Sequence, residues 1–184
     1  MIAIITASPN KEGLTAACAS AALQGVLLSG ETGEVFDLCD QKIAPCRVCN
    51  DGWGNCRVHS KCVIDDGLPA LQQYIEECYG FILITPVYFG QPSERMTYFL
   101  NRFRRCEFFH KSGSSAAGKP TVLVAAAGGS GNGTASCLAE MESWCRHVGA
   151  VPGKLIGVTM VNKQKTLEEI RKASADLHRA DEGE

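Results

Sequence analysis

The chain has 184 residues, of which 45% are hydrophobic, and a formal net charge of -2. Its length and apolar content predict a single domain over residues 1–184 with a full core. The nearly balanced charge argues against a general nucleic-acid or membrane-surface role, so small molecules are the expected partners.

Apolar runs alternate with helical patterns along the chain. The runs at residues 2–6, 34–38, 81–85, 121–127 and 154–160 predict strands 1 to 5. Helices are predicted at residues 14–28, 66–79, 94–105, 134–148 and 167–179. This alternation indicates an α/β three-layer sandwich, with a five-stranded parallel sheet covered on both faces. In the order 2-1-3-4-5 such a sheet has the flavodoxin-like fold, whose ligand crevice lies between strands 1 and 3.

Three loops should meet at that crevice, after strands 1, 3 and 4. Residues 8–15 precede a helix and offer hydroxyl and N–H groups to a phosphate. Residues 86–90 combine two aromatics with a glycine and can lie along a flat heterocycle. Residues 128–133 contain four glycines, which let the backbone approach a ligand closely. The three loops together predict a mononucleotide site, with FMN as the fitting ligand.

The sequence lacks the signatures of three other classes of doubly wound protein. A dinucleotide fingerprint needs Gly-x-Gly-x-x-Gly directly after strand 1, but residues 7–15 contain one glycine. A response-regulator receiver needs acidic residues at the end of strand 1, and none is present there. No cysteine is followed six places later by arginine, which excludes a Cys-x5-Arg phosphatase loop.

The first two loops resemble those of the NAD(P)H-dependent FMN reductase and iron-sulfur flavoprotein group, over roughly residues 1 to 160. The resemblance rests on Ser8-Pro9, on Gly13 with Thr15, and on residues 86–90. In that group the first loop reads Gly-Ser-Pro-Arg with a later Gly-Asn-Thr and holds the FMN phosphate. Here Ala7, Asn10 and Leu14 occupy the Gly, Arg and Asn positions. The missing arginine removes a charge-assisted phosphate contact, so we expect weaker FMN binding than is usual in the group.

The resemblance also implies a flavodoxin-like fold, hydride donation by NADH or NADPH, and a homodimer whose subunits complete each other's flavin pocket. The FMN-binding residues that it and the loop positions indicate are Ser8, Asn10, Gly13, Leu14, Thr15, Pro86, Val87, Tyr88, Phe89, Gly90, Gly128, Gly129 and Gly131. Because the flavin carries the chemistry, we predict no side chain as acid, base or nucleophile.

Four cysteines fall within 17 residues after strand 2, in an insertion at about residues 46–62: Cys46, Cys49, Cys56 and Cys62. Four thiolates can hold a 4Fe-4S cluster or zinc. Because the insertion follows strand 2, it is expected at the same edge of the sheet as the flavin loops. In the iron-sulfur flavoproteins that the chain resembles, this segment typically reads Cys-x2-Cys-x2-Cys with a fourth cysteine before an acidic pair, whereas the gaps here are two, six and five residues. An iron-sulfur cluster, zinc and a site without metal all remain open.

Residues around this insertion have plainer explanations. The other six of the ten cysteines lie in apolar or helical contexts and are expected to be small buried hydrophobes. Asp65 and Asp66 are expected to cap and complement the following helix. Arg95, Arg102, Arg104 and Arg105 are expected to form a solvated basic patch, with binding of a pyridine-nucleotide phosphate or of another subunit as the alternative. Trp53 is expected to pack on the core rather than cover a flavin.

The sequence therefore predicts an FMN-dependent oxidoreductase that transfers electrons from NAD(P)H to a quinone, a flavin or another acceptor, with or without an iron-sulfur cluster. Two alternatives remain: a flavodoxin-like electron carrier without its own NAD(P)H site, and a metal-stabilised interaction module that has lost flavin. The short N-terminal apolar run fits neither a signal peptide nor a membrane span, so a cytoplasmic protein is expected.

Overall fold

The computed structural model describes residues 1–177 and contains one parallel sheet covered by helices. Its strands are β1 (Ile2–Thr6), β2 (Gly33–Asp37), β3 (Gly80–Tyr88), β4 (Gln91–Pro92), β5 (Pro120–Ala127) and β6 (Val151–Thr159). The sheet order is β2-β1-β3-β5-β6, and the two-residue β4 pairs antiparallel with the end of β3. Apart from β4, this is the predicted 2-1-3-4-5 order, and the flavodoxin-like fold is confirmed.

The helices follow the predicted alternation: the first predicted helix and the one at residues 134–148 have the predicted bounds, and the other three have shifted ends. They are α1 (Leu14–Leu28), α2 (Asn55–His59), α3 (Leu68–Glu77), α4 (Glu94–Glu107), α5 (Thr134–Val148) and α6 (Lys163–Asp176), and a 3-10 turn lies at Asn50–Gly52. Helix α2 was not predicted. The last helix was predicted at residues 167–179 but begins four residues earlier, because Asn162 occupies its N-cap. Residues 178 and 179 of that prediction lie outside the described residues.

Alternating side chains of the strands build a separate apolar core on each face of the sheet. From β1, Ala3 and Ile5 point to the core shared with α3, α4 and α5, whereas Ile2 and Ile4 point to the core under α1 and α6. Both faces of the central strands β1, β3 and β5 are therefore buried, which explains why these three strands are nearly continuous apolar runs.

Helix α4 connects the ligand edge of the sheet to the outer layer. Its N-cap Ser93 is hydrogen-bonded to Thr85 near the carboxyl end of β3. At 1.5 Å of rise per residue, Arg102 lies roughly 14 Å farther along the helix axis than Ser93. The N-terminal and C-terminal halves of α4 therefore border different parts of the molecule. Within residues 1–177, no helix is long and apolar enough to cross a membrane.

Candidate functional site

The first loop leads from β1 into the N-terminus of α1, as predicted. Ser8 and Thr15 are buried and Asn10 is exposed, while Gly13 is the N-cap and Leu14 the first residue of α1. The Ser8 hydroxyl accepts a hydrogen bond from the Asn10 N–H at 3.2 Å, and the Asn10 side chain accepts one from the Glu12 N–H at 3.0 Å. No side chain caps the helix and its first turn has no acidic residue. This loop therefore presents a helix N-terminus suited to an anion.

Lys11, the cation of this loop, forms ion pairs with two carboxylates. Its ammonium lies 2.6 Å from Asp37, at the end of β2, and 2.7 Å from Asp40. Hydrogen bonding to these two carboxylates raises the pKa of Lys11 above its ordinary value. Lys11 thus ties the first loop to β2. The phosphate-binding potential of the loop rests on its backbone N–H groups and hydroxyls.

A buried hydroxyl pair that the sequence analysis missed joins the first loop to the second. The Ser93 hydroxyl donates to the Ala7 carbonyl at 3.0 Å, and the Ser93 N–H donates to the Thr85 hydroxyl at 3.0 Å. Ser93 occupies the N-cap of α4, but its side chain makes no cap hydrogen bond to the described residues. Because Ala7 lies 86 positions away in sequence, no local pattern could have revealed this contact.

The second loop turns sharply at Phe89 and Gly90, both of which have positive φ. Pro86 and Val87 are half-buried at the end of β3, whereas Tyr88 and Phe89 are exposed. Gly90 contacts the third loop: a Cβ on Gly133 would lie 2.6 Å from the Gly90 Cα, and the Ser136 hydroxyl donates to the Gly90 carbonyl at 2.8 Å. The second and third loops therefore meet through backbone that only glycine permits.

The remaining glycines of the third loop differ in their surroundings. A Cβ at Gly128 or Gly129 would meet no atom of the described residues within 4 Å, so both positions border open space. Gly131 has a φ of +81°, and a Cβ there would lie 2.7 Å from Thr159. The backbone conformation and the packing of Gly131 thus account for a glycine there without any ligand. The open space beside Gly128 and Gly129 leaves room for a ligand.

The four clustered cysteines line one small pocket, which has about 20 Å³ of space for water-sized groups. We call residues 44–66, which contain them, the cysteine segment. The Val48 N–H donates to the Cys46 sulfur at 3.4 Å, and the Arg102 Nε–H donates to the Cys62 sulfur at 3.4 Å. Within the described chain, no three His, Cys, Asp or Glu side chains are arranged to hold a metal ion. The donor type fits an iron-sulfur cluster or zinc, but the sulfurs do not form a finished ligand shell.

This pocket lies away from the start of α4. Its helical wall includes Arg102, Arg105 and Cys106, in the C-terminal half of that helix. The segment leaves the carboxyl edge of the sheet after β2, as predicted, and then packs along the outer layer against α4. That the cysteines share the edge of the flavin loops stays a prediction for the pocket itself.

Arg102 is the principal correction to the sequence analysis, because it is buried and paired rather than solvated. Its side chain is 1% exposed and forms a two-pronged ion pair with Asp66, at 2.5 and 3.1 Å. Burial alone would raise the pKa of Asp66, but hydrogen bonds from Arg102 and from the N–H groups of Ala44 and Leu68 hold it below its ordinary value. Asp66 also accepts from the Leu68 N–H at the start of α3, but Gly67 and not Asp65 or Asp66 is the N-cap of that helix, so the predicted capping is not confirmed.

Other residues near the pocket have structural roles. Trp53 packs against Phe109 with ring centroids 5.0 Å apart, and the Arg105 guanidinium lies 4.2 Å from the Trp53 ring centroid. Of the six remaining cysteines, five are buried as expected and Cys39 is partly exposed. Cys106 also lines the cysteine pocket, and burial, reinforced by Cys62 and Cys56, raises its pKa to about 12. Cys106 therefore stays protonated near neutral pH.

Two curated relatives are iron-sulfur flavoproteins. The chain is 33% identical over 100 residues to one from Methanocaldococcus jannaschii, a match that covers 54% of this chain and 50% of that protein. The match therefore spans about half the length of this relative. The chain is also 27% identical over 172 residues to an iron-sulfur flavoprotein from Archaeoglobus fulgidus, a match that covers 92% of this chain and 74% of that protein.

The fold is shared with solved oxidoreductases. The NAD(P)H:quinone oxidoreductase from Methanothermobacter marburgensis superposes with a TM-score of 0.70 and 16% identity, covering 96% of this chain and 94% of that one. Identity this low shows the fold alone. Family membership rests on sequence: residues 1–165 match the profile of the NADPH-dependent FMN reductases. The chain therefore belongs to the NADPH-dependent FMN reductase family.

Proposed function

We propose that this protein is an FMN-dependent oxidoreductase that transfers electrons from NAD(P)H to a quinone, a flavin or another acceptor. The observation that carries the proposal is the convergence of three loops at the carboxyl edge of β1, β3 and β5. One loop offers an uncapped helix N-terminus, and another borders open space at two glycines. The family match supports FMN as the cofactor and a nicotinamide dinucleotide as the electron donor.

In this proposal the first loop holds the FMN phosphate through Ser8, Asn10, Gly13, Leu14 and Thr15. The backbone N–H groups and the Ser8 and Thr15 hydroxyls provide the contacts, because Lys11 is paired with Asp37 and Asp40. Bound FMN supplies the redox chemistry, accepting a hydride and passing electrons to the acceptor.

The other two loops border the ring in the same proposal. Residues 86–90 and Gly128, Gly129 and Gly131 contribute backbone to the pocket wall. Ser93 fixes the Ala7 peptide and so orients the start of the phosphate loop. These groups bind and orient the flavin, and no side chain is assigned to proton transfer.

We further propose that Cys46, Cys49, Cys56 and Cys62 hold an iron-sulfur cluster. Support comes from the shared pocket, from the N–H donors to two of the sulfurs, and from the names of the curated relatives. A cluster needs its sulfurs drawn together, and hydrogen bonds from N–H groups to cysteine sulfurs are typical of such sites. A homodimer is proposed from the family resemblance.

Anaerobic purification followed by absorption spectroscopy and flavin, iron and zinc analysis tests the cofactors. We expect about one FMN per chain and, with a cubane cluster, about four irons and broad absorption near 400 nm. Protein that takes up no FMN on titration would contradict the flavin assignment. Iron-free protein after anaerobic reconstitution would contradict the cluster, and bound zinc would replace it as the metal.

Steady-state turnover separates the reductase from an electron carrier. FMN-loaded protein should oxidise NADH or NADPH with a quinone or ferricyanide as acceptor. Reduction by dithionite but no turnover with either nicotinamide would favour the flavodoxin-like carrier. Sedimentation of the same sample determines the oligomeric state.

A further inference from the structure

Arg102 is the largest fully buried side chain of the described chain, yet the flavin site does not use it. It projects from the C-terminal half of α4 into the wall of the cysteine pocket. A buried guanidinium is costly unless its N–H groups are bonded and its charge is paired. Here those bonds go to three different parts of the cysteine segment.

The first contacts hold the beginning of the segment. The Arg102 Nη1 donates to the Ala44 carbonyl at 3.1 Å, and the Asp66 carboxylate accepts from the Ala44 N–H at 3.0 Å. The ion pair thus bonds both backbone groups of Ala44, two residues before Cys46. Arg95, two turns earlier on α4, adds a hydrogen bond of 2.6 Å to the Ile43 carbonyl.

The remaining contacts hold the end of the segment. Asp66, at its last position, pairs with both terminal nitrogens of Arg102. The Nε–H of the same guanidinium donates to the Cys62 sulfur. One planar group therefore reaches the start of the segment, its end and one of the four clustered thiols. Lysine cannot reproduce this arrangement, because an ammonium lacks the fixed fork of five donors.

We propose that Arg102 is a positioning residue of the cysteine site: it joins the two ends of the cysteine segment and orients the Cys62 sulfur as a metal ligand. This inference rests on the proposed metal site. The long middle gap between Cys49 and Cys56 increases the need for such a clamp, since a longer loop loses more entropy when its ends are held together. Hydrogen bonds to ligand sulfurs also influence the potential of an iron-sulfur cluster, by stabilising its more negative reduced state.

Two conservative variants on the same helix test the proposal in the full-length protein. Arg102→Lys keeps the positive charge but cannot make all of the bonds, whereas Arg95→Lys can keep its single bond to Ile43. We expect amide hydrogen exchange in residues 44–66 to be at least tenfold faster in Arg102→Lys than in wild type. Exchange in Arg95→Lys should stay within about twofold of wild type.

The metal-loaded proteins give a second readout, in which the midpoint potential reports the hydrogen bond to the Cys62 sulfur. Arg102→Lys should release iron to a chelator at least tenfold faster and have a more negative cluster midpoint potential in an EPR-monitored titration. Arg95→Lys should match wild type in both. If zinc is the metal, the corresponding measurement is a tenfold weaker affinity in chelator competition.

The possible results distinguish this inference from the proposed metal site. Equal exchange in the two variants would overturn the joining role, and equal metal release, affinity and potential would overturn the orientation of Cys62. Wild-type protein that takes up neither iron nor zinc would overturn the metal site and the ligand role of Cys62 with it. Faster exchange in Arg102→Lys would in that case still show that Arg102 joins the ends.

Discussion

The flavin edge and the cysteine segment are built in different ways on one sheet. At the flavin edge, three loops follow buried strands, and backbone contacts such as that between Gly90 and Gly133 set their arrangement. In the cysteine segment, the ion pair between Arg102 of α4 and Asp66 holds a long loop. The loop's own elements are one 3-10 turn and the five-residue α2. The flavin edge is thus fixed by topology, and the segment by a buried ion pair.

This difference predicts where each region is fragile. A loop placed by strands keeps its position after most single substitutions, because the core still holds the strand ends. A segment closed by one ion pair depends on both partners, because removing one leaves an uncompensated buried charge. The largest effects are therefore expected from variants of the ion pair, and smaller ones from variants of the flavin edge.

Asp66→Ala should have the largest effect on stability. It leaves the Arg102 guanidinium buried without a counter-ion and the Ala44 and Leu68 N–H groups without their acceptor. We expect a loss of about 3–5 kcal/mol in the free energy of unfolding, measured by denaturant titration at pH 7. The matched control is Asp65→Ala, an exposed neighbour, which should change it by about 0.5 kcal/mol or less.

The same pair should give a defined pH dependence. The pKa of Asp66 is held below its ordinary value of 3.8, so the folded state favours the ionised carboxylate. Its contribution is fully present above pH 3.8 and is lost as the pH falls through the lower folded-state pKa. The difference in stability between wild type and Asp66→Ala should therefore shrink in that acid range. A difference that stays constant with pH would contradict the ion-pair account.

Ser93→Ala tests the contact that links two of the flavin loops. The variant leaves the buried Ala7 carbonyl without its donor, which should cost about 1–3 kcal/mol of stability. Loosening of the phosphate loop should weaken FMN binding about fivefold, equivalent to ~1 kcal/mol. Quenching of FMN fluorescence on titration measures this affinity.

Thr97→Ala is the control for that variant. The Thr97 hydroxyl, one turn farther along α4, donates to the Pro92 carbonyl and has no hydrogen bond to the first loop. FMN affinity should stay at the wild-type value in this variant. Equal affinities in Ser93→Ala and Thr97→Ala would show that the contact between Ser93 and Ala7 does not shape the phosphate site.

The two regions also differ in how far the sequence could predict them. Strand order and the three loops followed from apolar runs and turn residues, because in parallel α/β sheets connection rules turn local patterns into global placement. The position of the cysteine pocket did not follow, since it depends on Arg102 meeting Asp66 across 36 residues. A basic residue near a helix end is usually solvated, and nothing local distinguishes Arg102 from Arg104.

Gly129→Ala should have the smallest effect on stability and is the most selective test of the flavin edge. An added Cβ meets no atom of residues 1–177 within 4 Å, so the free energy of unfolding should change by about 0.5 kcal/mol or less. If the FMN ring borders this position, the methyl group competes with it and affinity should fall about fivefold, or ~1 kcal/mol. Gly131→Ala provides the contrast, because its φ of +81° and its contact with Thr159 predict a loss of stability even without flavin. Unchanged FMN affinity in Gly129→Ala would remove the third loop from the pocket and leave the first two to bind the cofactor.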